Sequence, residues 1–204
     1  MQQSTLSPSP VNTTLVLLCG GQSRRMNGQD KGLLLLGKQA IYLQTLQRLK
    51  PQVAQVIISA NRNLAEYDKS GYVVIRDTLP DHPGPLAGLL SAMQQIETEW
   101  VLTAPCDMPN LPTDLLLRFK ETAQQANLPQ ALVAFDGQQQ QHLVCLLNKS
   151  VQQSLQTYIA SGQRTVHRWL SQLEALRVDF HDMPEAFLNV NTPAELAAIE
   201  KSYA

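Results

Sequence analysis

Short, continuous apolar segments recur along the chain and alternate with segments whose apolar residues have helical spacing. The apolar runs at residues 15–18, 56–58, 72–75 and 100–103 predict four buried strands, because the strands of a parallel sheet are covered on both faces. Residues 39–50, 89–96 and 111–125 predict helices between or after these strands. The alternation predicts an α/β fold with a doubly wound, mostly parallel sheet and helices on both faces.

The C-terminal half adds further elements to this pattern. Apolar segments at residues 131–134 and 143–147 flank a polar tip at 136–141, which predicts a hairpin that adds an antiparallel strand to the sheet. We expect helices over residues 150–160, 165–173 and 194–203 and a strand near 175–180, with Thr192 capping the last helix. The Pro- and Gly-rich stretch at residues 79–88 predicts a loop, and Pro112 is expected in the first turn of the helix over 111–125.

The domain organisation is simple, since neither an internal repeat nor an interdomain linker is recognisable. We expect a single domain over residues 13–204. Residues 1–12 lack both the positive charge and the apolar segment of a secretory signal, and they predict a short disordered leader.

Composition and charge narrow the classes of function. The formal net charge is -1, so there is no basic surface for nucleic acid or for an anionic membrane. No apolar run approaches the roughly 20 residues of a membrane span. The 3 cysteines are far apart and form no C-x-x-C pair, which argues against a zinc site or a disulfide framework and favours a reducing cytoplasm.

Polar and glycine-rich segments follow four of the predicted strands, after Leu18, Ile58, Ile75 and Thr103. In doubly wound sheets ligands bind outside the carboxyl ends of the strands. The four segments therefore predict one ligand-binding crevice.

The segment after Leu18 contains Gly20 and Gly21, followed by the cationic residues Arg25 and Lys31. Two consecutive glycines allow backbone N–H groups to approach an anion closely. The segment matches neither the Walker A pattern nor the G-x-G-x-x-G dinucleotide fingerprint. A bare Gly-Gly is more often an ordinary turn, but the two cations in the same loop favour phosphate binding.

Asp107 follows the predicted strand at residues 100–103. Magnesium binds proteins through one or two carboxylates together with substrate phosphates, so an aspartate opposite a cationic glycine loop predicts a magnesium ligand. The alternative is that Asp107 forms a turn or caps a helix.

Three further motifs are candidates for contacts with a nucleotide or a second substrate. Asp77 can accept hydrogen bonds from the Watson–Crick edge of guanine, although a turn role is an equally good explanation. Gly84 and Gly88 allow close approach to a flat ligand. Asn189 and Asn191 alternate and share one face, where they complete a metal shell, hold substrate or simply cap a loop.

Taken together, these segments resemble the molybdenum cofactor guanylyltransferase family. The family's opening pattern is Leu-Ala-Gly-Gly-x-x-x-Arg-Met-Gly-Gly-x-Asp-Lys, and the chain matches it at residues 18–21, 25–26, 28 and 30–31. Further matches lie at residues 59–62, 77, 83–88, 105–107 and 189–193, so that the resemblance extends from Thr14 to about Glu200.

The resemblance implies a Rossmann-like nucleotidyltransferase fold and assigns roles to individual residues. Arg25 and Lys31 would contact phosphates, Asp107 would hold Mg²⁺, and these three would be the catalytic residues. The remaining nucleotide contacts that it implies are Leu18, Cys19, Gly20, Gly21 and Asp77. Ser59 replaces a nucleotide-contacting asparagine of the family, and either Asn61 compensates for the lost contact or a water fills the gap. The pterin substrate would lie over residues 83–88, towards the C-terminal half.

The implied reaction is transfer of GMP from GTP to molybdopterin, with Mg²⁺ as cofactor and with molybdopterin guanine dinucleotide and pyrophosphate as products. Two alternatives remain open: a related nucleotidyltransferase that uses CTP or a sugar phosphate, and a non-catalytic protein that binds GTP and pterin. The two glycines at residues 20–21 and the Asp-Lys pair at 30–31 favour the guanine branch. We expect a cytoplasmic monomer that makes transient contacts with cofactor-synthesis or acceptor enzymes.

Overall fold

The computed structural model describes residues 6–19, 30–77, 84–190 and Glu195. Its centre is a seven-stranded sheet with the order β5-β4-β1-β6-β8-β7-β9, beside a two-stranded ladder of β2 and β3. The strands are β1 (Thr13–Leu18), β2 (Leu35–Leu36), β3 (Gln39–Ala40), β4 (Gln55–Ser59), β5 (Val73–Ile75), β6 (Trp100–Pro105), β7 (Ala131–Phe135), β8 (Gln140–Asn148) and β9 (Leu176–Asp179). The helices are α1 (Ile41–Leu49), α2 (Leu64–Asp68), α3 (Pro85–Met93), α4 (Leu115–Gln125), α5 (Gln152–Ala160) and α6 (Val166–Gln172).

Of the seven strands in the main sheet, β8 runs against the other six. It pairs with β6 on one side and with β7 on the other, so the predicted hairpin is confirmed. The sheet is therefore mostly parallel, with a single antiparallel strand inserted between β6 and β7.

Both faces of the sheet are covered by helices, as the apolar runs predicted. Along β1, Leu15 and Leu17 point to one face and Val16 and Leu18 to the other, as the two-residue period of a strand requires. Helices α1, α2 and α4 contribute to the first cluster, and α3, α5 and α6 contribute to the second. The doubly wound α/β class is confirmed.

Two helix boundaries differ from the predictions. Helix α3 begins at Pro85, inside the stretch expected to be a loop, because proline is well tolerated in the first turn and Gly84 supplies the preceding conformation at φ +87. Helix α4 begins at Leu115, after Pro112. The Gln52 side chain caps this start, since it donates to the Pro112 carbonyl at 3.0 Å and accepts from the Leu116 amide in the first turn at 2.8 Å.

Some short elements were not predicted. The β2–β3 ladder and the five-residue helix α2 are too short to produce a hydrophobic period. The helix predicted at 194–203 and its cap Thr192 lie outside the described residues, apart from Glu195.

Residues 6–12 have defined contacts, whereas the sequence predicted a disordered leader over residues 1–12. The Trp100 indole donates to the Leu6 carbonyl at 2.7 Å, and the Leu6 amide donates to the Glu99 carboxylate at 2.9 Å. A buried indole N–H requires an acceptor, and this segment of the chain provides one. Within the described part of the chain, no helix combines the length and apolar character needed to span a bilayer.

Candidate active site

The carboxyl ends of β5, β4, β1 and β6 lie side by side and are joined by backbone hydrogen bonds. The Cys19 amide donates to the Ser59 carbonyl at 2.8 Å, and the Cys106 amide donates to the Leu18 carbonyl at 3.1 Å. The Ala60 amide continues the series, since it donates to the Ile75 carbonyl at 2.9 Å. These bonds bring the first residues of the four polar segments to one edge of the sheet.

Lys31 and Asp107 meet at this edge. Lys31 Nζ lies 3.4 Å from Asp107 Oδ2, although the two residues are 76 positions apart in the chain. Their side chains are largely buried, with 24% and 16% of their surface exposed. Burial raises the pKa of the Asp107 carboxyl, and the neighbouring Lys31 charge opposes this shift. The site therefore holds a cation and a carboxylate in contact and away from bulk solvent.

The backbone around Asp107 is held from two sides. The Thr45 hydroxyl on α1 has one proton and three carbonyl oxygens within reach: that of Ile41 in its own helix at 3.2 Å, and those of Cys106 and Met108 at 3.3 Å each. The Val190 amide donates to the Asp107 carbonyl at 2.9 Å. Thr45 was not predicted as a site residue, because a threonine within an amphipathic helix carries no signal of a buried role.

Asn61 and Asp77 form a reciprocal pair at the ends of β4 and β5. The Asn61 amide group donates to Asp77 Oδ2 at 2.7 Å, and the Asp77 backbone amide donates to Asn61 Oδ1 at 3.1 Å. Both residues were predicted as nucleotide contacts, and the structure places them together. Asn61 thus fixes the orientation of the Asp77 carboxylate.

Ser59 and Gly88 are in close contact on the α3 side of the sheet. A Cβ atom at position 88 would lie 2.2 Å from Ser59 Oγ, so glycine is required by the packing of α3 on β4. Ser59 is buried. At Gly84 the requirement is conformational instead, since φ is +87 and, among the described residues, no neighbouring atom lies within 4 Å of the position that a Cβ would occupy.

The other predicted site residues are distributed as follows. Leu18 and Cys19 are buried at the end of β1. Asn189 is half-buried and precedes Val190, the residue that binds the Asp107 carbonyl. Four predicted residues lie outside the described part of the chain: Gly20, Gly21, Arg25 and Asn191.

The donor set can be compared with the requirements of metal ions. Among the described residues, no three His, Cys, Asp or Glu side chains are grouped closely enough to hold a metal. Asp107 supplies one carboxylate at the strand ends, which suits a Mg²⁺ ion whose remaining ligands are water and substrate phosphates. The residues therefore fit a metal that binds together with a nucleotide.

Two thiols lie at the same edge. Cys19 and Cys106 are buried and free. A hydrogen bond with Cys19, together with burial, raises the pKa of the Cys106 thiol well above its usual value. Because only the thiolate is nucleophilic, any covalent role for Cys106 is disfavoured.

A doubly wound sheet with a lysine, an aspartate and an oriented Asn–Asp pair at its strand ends places the chain in the class of α/β proteins that bind ligands at the carboxyl ends of their strands. The fold is similar to two solved structures. Molybdopterin-guanine dinucleotide biosynthesis protein A from Archaeoglobus fulgidus has a TM-score of 0.75 at 22% identity, with 93% of this chain and 98% of that chain covered. 2-C-methyl-D-erythritol 4-phosphate cytidylyltransferase from Thermus thermophilus has a TM-score of 0.67 at 15% identity, with 92% and 97% covered.

Sequence comparisons identify the family within this class. Residues 15–177 match the family model of the MobA-like NTP transferase domain. The molybdenum cofactor guanylyltransferase of Shewanella loihica is 39% identical over 191 residues, which cover 93% of this chain and 96% of the relative. That of Shewanella baltica is 42% identical over 180 residues, covering 88% and 91%. The chain belongs to the molybdenum cofactor guanylyltransferase family and is a nucleotidyltransferase, which confirms the resemblance.

Proposed function

We propose that the chain transfers GMP from GTP to molybdopterin, which yields molybdopterin guanine dinucleotide and pyrophosphate. Membership in the family supports this reaction. The observation that carries the proposal is the contact between Lys31 Nζ and Asp107 Oδ2 at the strand ends. A cation and a carboxylate held together in this way match the two needs of a triphosphate, which are charge neutralisation and a metal ligand.

GTP binds with its triphosphate at the carboxyl ends of β1 and β6 in this proposal. Lys31 donates to phosphate oxygens, and the resemblance adds Arg25 and the backbone of Gly20 and Gly21 as further donors. Asp77 accepts from the adjacent N–H donors of guanine, because an ionised carboxylate offers acceptors only. The hydrogen bond from Asn61 holds this carboxylate in place.

The reaction is an in-line displacement at the α-phosphorus of GTP. A phosphate oxygen of molybdopterin forms the new P–O bond as the bond to the bridging oxygen breaks, and pyrophosphate leaves with that electron pair. The protein contributes positioning and charge stabilisation, since the attacking phosphate is already anionic. Lys31 and Arg25 stabilise the charge that develops on the phosphates. A Mg²⁺ ion held by Asp107 and by phosphate oxygens supplies further neutralisation when bound.

The proposal also includes the cellular compartment and the oligomeric state of the protein. All three cysteines are buried and free, which suits a reducing cytoplasm, and we place the reaction there. We also propose that the protein acts as a monomer.

The proposal is tested by pyrophosphate release from purified protein with Mg²⁺, molybdopterin and either GTP or CTP. We expect release with GTP, dependence on molybdopterin, and a much lower rate with CTP. Faster release with CTP would identify a cytidylyltransferase instead. GTP binding without release under any of these conditions would identify a non-catalytic binding protein.

A further inference from the structure

The turn that carries Lys31 is organised by the side chain of Asp30. Asp30 caps a short 3-10 turn at Lys31–Leu33, and its Oδ1 accepts a hydrogen bond from the Gly32 amide at 3.2 Å. The Leu33 amide also donates to the Asp30 carbonyl at 3.1 Å. The direction in which Lys31 leaves the backbone therefore depends on the position of the Asp30 carboxylate.

Two residues near α2 hold that carboxylate. The Tyr67 hydroxyl donates to Asp30 Oδ1 at 2.8 Å, and the Asn63 amide group donates to Oδ2 at 3.1 Å. Tyr67 is completely buried, whereas the contact with Asn63 is exposed to solvent. The buried hydroxyl is thus the more strongly constrained of the two donors.

The position and the protonation state of Tyr67 are both well defined. Its ring packs edge-on against the Tyr42 ring with the centroids 4.9 Å apart, which fixes the phenol within the core. Burial, and then the nearby Cys19, raise the pKa of the Tyr67 hydroxyl far above its usual value. The hydroxyl consequently remains a donor throughout the range in which enzymes work.

Close packing connects this hydroxyl to the segment that carries Asp107. A Cβ atom at Gly32 would lie 2.6 Å from the Tyr67 hydroxyl oxygen and 3.0 Å from Cys106 Sγ. The turn that carries Lys31 is therefore in van der Waals contact with both Tyr67 and the residue before Asp107. A shift of the turn would change the separation of Lys31 and Asp107.

We propose that Tyr67 is a positioning residue for the transfer reaction: through its hydrogen bond to Asp30 it holds Lys31 against Asp107. Tyr67 acts on the reacting phosphates only through Lys31. The inference rests on the proposed function, because it assumes that Lys31 stabilises the transferred phosphate.

The test variant is Tyr67→Phe, which keeps the packed ring and removes the donor. We expect kcat for GMP transfer to fall about tenfold, with a smaller change in KM for GTP, because a displaced cation loses more of its interaction with the transition state than with bound GTP. The matched control is Tyr158→Phe. It removes another buried hydroxyl, which donates to the Thr165 carbonyl at 2.9 Å on the other face of the sheet, and it should leave kcat unchanged.

A double-mutant cycle separates positioning from general stability. In a Lys31→Ala background, Tyr67→Phe should cause no further loss of kcat, because the residue through which it acts is absent. An unchanged kcat in Tyr67→Phe, or an equal loss with and without Lys31, would overturn the inference. If Lys31→Ala alone leaves turnover unchanged, the phosphate-binding role in the proposed function fails instead.

Should Tyr67→Phe not fold, Asp30→Ala decides the question, because it removes the acceptor through which Tyr67 acts. We expect a loss of kcat of about tenfold that disappears in the Lys31→Ala background. No loss, or a loss that persists without Lys31, contradicts the inference.

Discussion

Two ion pairs of this chain, Arg118–Asp182 and Lys31–Asp107, differ in their geometry. Arg118 on α4 donates to both oxygens of Asp182 at 2.7 and 2.8 Å and to Asp114 at 3.0 Å, beside the far edge of the sheet. Lys31 and Asp107 lie at the ends of β1 and β6, with 3.4 Å between Nζ and Oδ2. The first pair has the bidentate geometry of a strong structural contact, whereas the second is long.

The two aspartates also differ in solvent exposure and in the direction of their pKa shifts. The Asp182 side chain is 47% exposed, and its hydrogen bonds with Arg118 lower its pKa. The Asp107 side chain is 16% exposed, and burial raises its pKa. Folding thus favours the charge on Asp182 and disfavours the charge on Asp107. A side chain whose ionised form destabilises the folded state is a good candidate for ligand binding.

The largest expected effect comes from Asp107→Asn. It preserves side-chain volume and removes the proposed metal ligand, so we expect turnover to fall by at least about 10²–10³-fold with the fold intact. Pyrophosphate release measures the activity, and circular dichroism measures the fold. Asp182→Asn is the control and should retain wild-type turnover. Comparable activity in the two variants would remove the distinction between the pairs.

The second prediction compares removal of the two cations, Lys31 and Arg118. Lys31→Ala should lower kcat/KM by about 10²-fold, as expected for the loss of one charged donor to the transition state. Arg118→Ala should leave kcat/KM within about twofold and lower the Tm, because it removes contacts that serve the fold alone. The measurements are initial rates over a range of GTP concentrations and thermal unfolding. A loss of kcat/KM in Arg118→Ala without a fall in Tm would contradict this assignment.

The smallest effect is on stability, and its sign should differ between the pairs. The folded-state pKa of Asp107 is above its ordinary value of 3.8, so its ionisation destabilises the fold as pH rises through the folded pKa. The folded-state pKa of Asp182 is below 3.8, so its contribution is present above pH 3.8 and is lost as pH falls through the lower folded pKa.

We therefore expect Asp107→Asn to raise Tm slightly at about pH 7 in nucleotide-free protein, and Asp182→Asn to lower it. Both differences should shrink when unfolding is repeated at a pH low enough to protonate the two carboxyls. If both substitutions shift Tm in the same direction at neutral pH, folding does not favour the charge on Asp182 while disfavouring the charge on Asp107.

Much of the fold and part of the site could be predicted because the signals are local. The buried strands β1 and β6 are continuous apolar runs, and the strand-end rule alone predicts that Lys31 and Asp107 lie at one edge of the sheet. The prediction of a buried strand at residues 72–75 was wrong in its burial, because β5 is an edge strand in which Val73 is 57% exposed. The helix boundaries were less predictable, since Pro85 is typical of a loop and yet begins α3. The first turn of α4 is capped by the side chain of Gln52, which lies 60 residues earlier than Pro112.

The contacts that orient the site carry no local signal. Tyr67 lies 37 residues from Asp30, and Thr45 lies 61 residues from Cys106. Ser59 and Gly88 meet only because α3 packs on β4. By itself the sequence determined the fold class, the family and the residue types at the strand ends, since hydrophobic period and motif order are properties of the chain. Only the tertiary structure decided which distant hydroxyls, amides and carboxylates meet, because hydrogen-bond partners depend on the packing of elements far apart in sequence.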